Sequence, residues 1–306
     1  MSIPPNTVTI IGAGIAGAAC AVALRGGGIP FRLVDRGRAV GGRMASPELH
    51  GRRVDIGAGY FTVRDHEFTE VVARWESAGL ATPWTDTFGV VKPDAEPTSS
   101  TGPVRWSTPA GLRSLVRDLL TGISSTTDEV TEIPTGDVLL AMPDPQAQRL
   151  APIADAVSYD PVVTLVFGFD TLPLPFEHAA FVNDHRVVEF VADDGSRRGD
   201  HAPVLVVHTT AEFAREHLEQ PAGAISPVTR AIGELLGLPT PQWSHAHRWT
   251  FAKPAGSHGE TYRLIDTDTG TLGFAGDQWC PTGSPRIESA WRSGTDLGRA
   301  YIRSKQ

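Results

Sequence analysis

A chain of 306 residues with 41% hydrophobic side chains can bury one large domain or two, and its composition is that of an ordinary soluble protein. A formal net charge of −8 offers no basic footprint for nucleic acid, and no apolar run reaches the length of a membrane span, so neither partner is expected. Two cysteines, Cys20 and Cys280, predict no disulfide scaffold, and no Cys/His spacing predicts a metal site.

In chain order, Met1–Asn6 has neither a charged leader nor a cleavable apolar core, and a cytoplasmic protein is expected. Val8–Ile11 is an apolar strand that opens into Gly12-x-Gly14-x-x-Gly17 and then an Ala-rich helix. Each glycine has a mechanical task. Gly12 permits the tight turn, Gly14 lets backbone approach a pyrophosphate, and Gly17 lets helix pack on strand. The first helical turn, with Ile15 and Ala16, offers unpaired N–H groups to phosphate. A second strand, Phe31–Val34, ends in Asp35, which can take ribose hydroxyls, with Arg36 beside it. Strand, glycines, helix, strand and acid in this order predict dinucleotide binding. Gly41-Gly42-Arg43-Met44 then offers close backbone approach and a fork of donors.

Further on, Phe68, Val71, Val72 and Trp75 recur at helical spacing, which predicts a helix over 66–80. A strand is expected over 84–91, and a Pro/Ser/Thr-rich mobile loop over 92–105. A helix should follow Pro109-Ala110-Gly111, and the run Val138–Met142 reads as a buried strand. Strands are expected over 162–169, 187–191, 204–208 and 243–251, and helices over 212–219 and 226–236. Cys20 should be a small core residue of the first helix. His245 and His247 share one strand face. The strand 272–275 ends in Gly276-Asp277, and a helix opens at Arg286 and runs to Tyr301.

Gly-Gly-Arg is found in flavoproteins of the amine-oxidase and glutathione-reductase-like type, and that resemblance implies FAD. Several segments make the whole chain resemble the renalase-type flavoproteins, small relatives of the amine oxidases. They are the glycine turn, Gly41-Gly42-Arg43-Met44, Asp55-Ile56-Gly57-Ala58-Gly59-Tyr60-Phe61, Val138–Pro143 with Pro145-Gln146-Ala147, His247-Arg248-Trp249, and Gly276-Asp277 through Gly294. The resemblance implies an α/β fold. A Rossmann-like, glutathione-reductase-like FAD domain (1–61, 106–158 and 268–306) is interleaved with a β-rich α+β substrate domain (62–105 and 159–267). It also implies that Gly57, Ala58, Gly59 and Tyr60 press main chain against the flavin, where a side chain on either glycine would collide with the ring. Gly276 and Asp277 would touch the ribityl chain and pyrophosphate. The helix N-terminus, with Ile287, Glu288, Ser289 and Ala290, would face the pyrimidine edge.

The activity implied is oxidation of dihydro isomers of NAD(P)H, with hydride to flavin N5 and dioxygen reduced to hydrogen peroxide. Such a substrate expels its own hydride and needs no strong base. The expected FAD is non-covalent, and the expected partners are a small-molecule substrate and dioxygen. Tyr60, His247 and Trp249 are the candidate slot residues, with Phe61 and Trp279 as further wall candidates and Arg248 as a substrate cation or a surface salt bridge. Two other readings stay open. One is a flavin amine oxidase or desaturase using Lys253, the other a flavin-binding protein without turnover.

Overall fold

The computed structural model describes residues 7–306, so the segment Met1–Asn6 read for a leader lies outside the described residues. The architecture is mixed α/β, as expected. One sheet has six strands in the order Arg263–Thr267, Gly270–Ala275, Val138–Ala141, Val8–Ile11, Phe31–Asp35 and Ser125–Thr127. Its centre is parallel, with Ile10 opposite both Leu33 and Leu139. All residues of Val8–Ile11 and Val138–Ala141 are buried. A parallel strand covered on both faces has no polar side to show, which is why these segments are unbroken apolar runs. Helices Ile15–Gly26 and Ile287–Ser304 pack against each other beside this sheet. Cys20 is fully buried in that core, where burial pushes its thiol up to about 12. Both cysteines are free.

Helix His66–Ser77 starts on Asp65, whose carboxylate accepts the Phe68 N–H at 3.0 Å. Its apolar stripe of Phe68, Val71, Val72 and Trp75 is buried as the spacing predicts. The stripe enters the core of the parallel sheet, with Phe68 5.2 Å from the Trp291 ring. This helix and the strand Arg263–Thr267 therefore pack with the glycine-turn half, although the domain limits set out above put them in the other.

The second sheet has seven strands in the order Trp243–Pro254, Tyr159–Gly168, Val204–Thr209, Val188–Asp193, Ala179–Val182, Thr82–Val91 and Thr98–Ser107. Side chains alternate between its faces. Val163, Leu165 and Phe167 join Ala214, Val228 and Ile232 of the helices Ala211–His217 and Ile225–Leu236. Val166 points the other way, with Val204 and Val206, onto Ala45, Val54 and Ile56 of the first half. The centre of the sheet is thus buried on both faces, and the inner face of its strand Tyr159–Gly168 carries the even-numbered positions Val162 and Thr164.

The expected loop over 92–105 is largely a strand. Thr98–Ser107 pairs antiparallel with Thr82–Val91 at the sheet edge. Thr98–Val104 is exposed throughout, so no apolar alternation marks the segment, and backbone pairing holds it in place. The short strand Ala179–Val182 and the five-residue helix Asp194–Arg198 carry no clear pattern in the sequence either.

Candidate functional site

A cavity of about 1060 Å³ is lined by residues of both sheets. One end is built by the glycine turn. Gly12 has φ +110°, and a Cβ there would meet the Ala141 carbonyl oxygen at 2.3 Å. A Cβ on Gly17 would lie 1.8 Å from the Gly12 carbonyl, so Gly17 packs helix on strand and does not itself line the cavity. Gly14 differs, because nothing lies within 4 Å of the place a Cβ would take and the residue lines the cavity. It is also the N-cap of a 12-residue helix and makes no side-chain cap. Ile15 and Ala16 line the cavity too, so the uncapped first turn opens onto it. These are the features a phosphate needs.

Asp35 and Arg36 line the same end, joined by Asp128–Thr131. The Asp35 carboxylate accepts the Ala13 N–H at 2.5 Å and the Gly37 N–H at 2.6 Å. It therefore braces its own glycine turn, and each oxygen keeps a lone pair for a ribose hydroxyl. Gly41, Gly42, Arg43 and Met44 follow along the wall, and the Gly41 N–H donates to the Ala13 carbonyl at 2.8 Å.

Arg43 is not a free fork. It binds both carboxylate oxygens of Asp277 at 2.7 Å and donates to the Ala252 carbonyl at 3.0 Å. Burial would lower its pKa, but Asp277 more than offsets this and the guanidinium stays firmly charged. The Tyr159 hydroxyl lies 2.8 Å from both Asp277 Oδ1 and Gln278 Oε1, one proton facing two acceptors. Arg43, Asp277 and Tyr159 thus tie the Gly-Gly-Arg turn to the Gly-Asp turn. Gly276 and Asp277 line the cavity, as do Ile287 and Ala290.

Glu288 and Ser289 do not line it. Glu288 accepts the Arg64 N–H at 2.7 Å and also the Asp65 N–H. Ser289 Oγ accepts the Arg286 N–H at 2.8 Å. Both are occupied with anchoring the helix start.

Gly57 and Ala58 line the other end, and the Ala58 N–H donates to the Arg43 carbonyl at 2.9 Å. The expectation that side chains here would strike a flat ring needs correction. A Cβ on Gly57 would lie 1.9 Å from the Arg43 carbonyl oxygen and 3.3 Å from the Trp249 ring. One on Gly59 would meet Phe190 and Arg197. These glycines are required by protein packing. Gly59 is outside the cavity lining, and so are Tyr60, Phe61 and Trp279. Tyr60 packs edge-on to Phe88 at 5.2 Å, Phe61 stacks on Trp106 in the core, and Trp279 stacks on His258 at 3.7 Å.

His247 and Trp249 do line the cavity, together with Arg248 and Lys253. Trp249 Nε1 donates to the Ile56 carbonyl at 2.8 Å, which clamps the Gly57 segment. Lys253 is in an ion pair with Glu189, and Arg248 donates to the Leu218 carbonyl at 2.8 Å. Burial first, and the neighbours His245 and Arg248 second, lower His247 to about 4.

Three further residues escape any sequence pattern. Thr164 and His208 line the inner wall. Burial first, then Lys253 and Arg197, lower His208 to about 3. Arg197 lies fully buried behind the wall and donates to the Gly59 carbonyl at 2.8 Å. It pairs with Asp194 at 2.5 Å, beside Asp55, Arg52 and Arg198. This ionic cluster holds the Asp55–Gly59 segment from behind.

Comparison with known proteins agrees with this geometry. Residues 10–75 match the NAD(P)-binding Rossmann-like domain family. Over the whole chain the fold is similar to cyclohexylamine oxidase from Brevibacterium oxydans IH-35A, with TM-score 0.74 and 14% identity, covering 99% of this chain and 100% of that one. It is similar to a putative protoporphyrinogen oxidase from Exiguobacterium sp. 255-15, with TM-score 0.74, 14% identity and 99% coverage of each chain. A redesigned putrescine oxidase gives TM-score 0.72 and 14% identity, covering 97% of this chain and 99% of that one. The shared property is the fold, a Rossmann-like half joined to a largely antiparallel half. Among the described residues no helix is long and apolar enough to cross a membrane.

Proposed function

We propose that the chain is an FAD-dependent oxidase whose cofactor lies along this cavity, with the substrate against the wall of His247, Thr164 and His208. The observation that carries the reading is the continuity of the lining. An uncapped helix start, Asp35, the Gly-Gly-Arg turn, Gly57-Ala58 and Gly276-Asp277 all border one space. Its volume of about 1060 Å³ is at the top of the range for one small ligand, about 300–1,000 Å³, and suits a dinucleotide with a substrate beside it. FAD, when bound, supplies the acceptor for a hydride and the site at which dioxygen is reduced to hydrogen peroxide.

The protein's part is to bind, orient and exclude water. First-turn N–H groups around Gly14, Ile15 and Ala16 take the pyrophosphate, and Asp35 takes ribose hydroxyls. Gly57-Ala58, held by Arg43, Trp249 and Arg197, forms the inner backbone ledge. In this reading the glycine-turn half, with helix His66–Ser77 and strand Arg263–Thr267, binds cofactor, and the seven-stranded sheet frames the substrate. The cytoplasm is its setting, in keeping with two free thiols.

The finer reading is oxidation of 2- or 6-dihydro isomers of NAD(P)H, as in the renalase-type proteins this chain resembles. It is supported by the chemistry of the inner wall. Both lining histidines are neutral, and Lys253 is held by Glu189. With both imidazoles lowered so far they are weak bases, and no strong base stands ready, which suits a substrate that expels its own hydride. A second reading is favoured by the folds of the neighbours named as cyclohexylamine and putrescine oxidases, and by a lysine that reaches the cavity. Acid or heat precipitation should release a yellow supernatant containing FAD. Aerobic incubation of the holoprotein should yield peroxide with the dihydro isomers and little with amines. Peroxide with amines alone would install the second reading.

A further inference from the structure

A connected set of buried polar groups lies behind the cavity. His258 is buried and does not line the cavity. Its Nε2 lies 2.7 Å from Asp144 Oδ2, and a carboxylate only accepts, so the imidazole donates. Asp144 is fully buried and takes two more donors, the Val157 N–H at 2.9 Å and Gln278 Nε2 at 2.7 Å. Gln278, also fully buried, donates from the same nitrogen to the Met142 carbonyl at 3.0 Å. Its Oε1 accepts from the Tyr159 hydroxyl, which also reaches Asp277. Asp144 and Gln278 thus adjoin two lining segments from behind, Ala141-Met142-Pro143 and Gly276-Asp277.

We infer that His258, from outside the cavity, is a positioning residue for FAD: through Asp144 and Gln278 it fixes the Gly276-Asp277 turn against the cofactor and sets how slowly FAD leaves. That role presupposes the oxidase reading above and deepens it. The turn is held from two directions. Arg43 grips Asp277 on the cavity side, and Gln278 braces the turn from behind through Tyr159. Gln278 also covers Gly276 closely, for a Cβ there would meet Gln278 Oε1 at 2.2 Å. The His258 N–H donates to the Gln278 carbonyl at 2.8 Å. His258 therefore holds Gln278 twice, its main chain directly and its side chain through Asp144.

Burial energetics point the same way. An apolar core could hold this loop without the cost of burying a carboxylate. Here the carboxylate is kept, and among the described residues His258 is the one basic side chain within ion-pair distance of Asp144. A fully bonded buried network fixes direction as well as contact, which a turn facing a cofactor needs. His258 is itself held in place. Its ring stacks on Trp279 at 3.7 Å and 17°, and Arg263 lies 4.9 Å over the Trp279 ring. Asp155, 3.5 Å from His258 Nδ1, is taken by Arg263 at 2.6 and 2.9 Å.

The test is release of FAD from the holoprotein, followed as the gain in flavin fluorescence after dilution, with the dissociation constant measured at equilibrium. His258→Phe keeps a ring on Trp279 but loses the bond to Asp144, and should speed release and weaken FAD about tenfold. His258→Gln loses the ring but places an amide N–H where Nε2 stood, and should stay within about twofold of wild type. Asp144→Asn keeps the side chain's shape and sets a donor against donors. It should match His258→Phe, and it carries the test if that variant fails to fold. A histidine that merely filled space would be replaced better by phenylalanine than by glutamine, the opposite order. Unchanged FAD release in His258→Phe and Asp144→Asn, or equal weakening in His258→Phe and His258→Gln, would overturn the positioning role alone. A wild-type protein that purifies colourless and takes up no FAD would overturn the oxidase reading beneath it.

Discussion

The two ends of the cavity are made by opposite means. The proposed cofactor end is mostly backbone: uncapped N–H groups, glycines with no Cβ, and turns tied by main-chain bonds such as Gly41 N–H to Ala13 carbonyl, with Asp35 and Arg43 as side-chain braces. The proposed substrate end is side chain: His247, Thr164, His208 and Trp249, brought from strands far apart in sequence onto one sheet face. A backbone surface binds what phosphates and ribose share and tolerates little change. A side-chain surface can be re-specified one residue at a time on an unchanged scaffold. That contrast fits a fold that appears at 14% identity in oxidases named for cyclohexylamine and putrescine.

If the contrast is right, the largest stability effect should come from neither surface but from the ionic cluster behind the inner wall. Arg197→Met would leave Asp194 and Asp55 short of their buried partner, a loss of about 3–5 kcal/mol for a broken buried pair, read as the urea unfolding midpoint. A change under 1 kcal/mol would show that Arg52 and Arg198 suffice.

On the backbone side, Arg43→Ala removes a bidentate bond to Asp277 of about 1.5–3 kcal/mol. FAD affinity should fall about ten- to a hundredfold, while the reconstituted enzyme still turns over. A fully loaded but dead variant would move Arg43 from holding the turns to the chemistry.

The side-chain wall should show itself through pH. His208 and His247 are lowered from 6.5 to about 3 and about 4, so they are neutral in the fold while their unfolded counterparts bind protons below about 6.5. Their contribution is present above 6.5 and is lost as pH falls toward those folded values. Each gives a slope of at most about 1.4 kcal/mol per pH unit. His208→Phe should flatten the fall in stability between pH 6.5 and 4.5. An unchanged slope would place the uncharged state of His208 in doubt. The smallest effect is expected for Trp249→Phe, which keeps the ring but loses the bond to Ile56, about 1 kcal/mol, with KM moving more than FAD content.

What could be read in advance follows the same division. The glycine turn, Asp35, Gly-Gly-Arg and Gly-Asp are local motifs whose spacing already contains their geometry. Gly57 and Gly59 were legible as glycines that matter, but not for the correct reason, because the Arg43 carbonyl and Phe190 that crowd them come from elsewhere in the chain. Tyr60 follows that segment directly, yet its ring turns to Phe88, a contact made by a strand the linear order does not place beside it. Thr164 and His208 were hidden for another reason. Val162–Phe169 is apolar on both faces of a doubly covered sheet, so alternation cannot tell which face meets a cavity. The edge strand Thr98–Ser107 went unseen because its exposed serines and threonines carry no burial signal.

The most direct test of the account is anaerobic stopped-flow bleaching of the bound flavin. Purified 2- and 6-dihydro isomers of NAD(P)H should reduce it faster than ordinary 4-dihydro NADH, cyclohexylamine or putrescine. Reduction led by 4-dihydro NADH or by an amine would contradict the account and give the site to a different substrate.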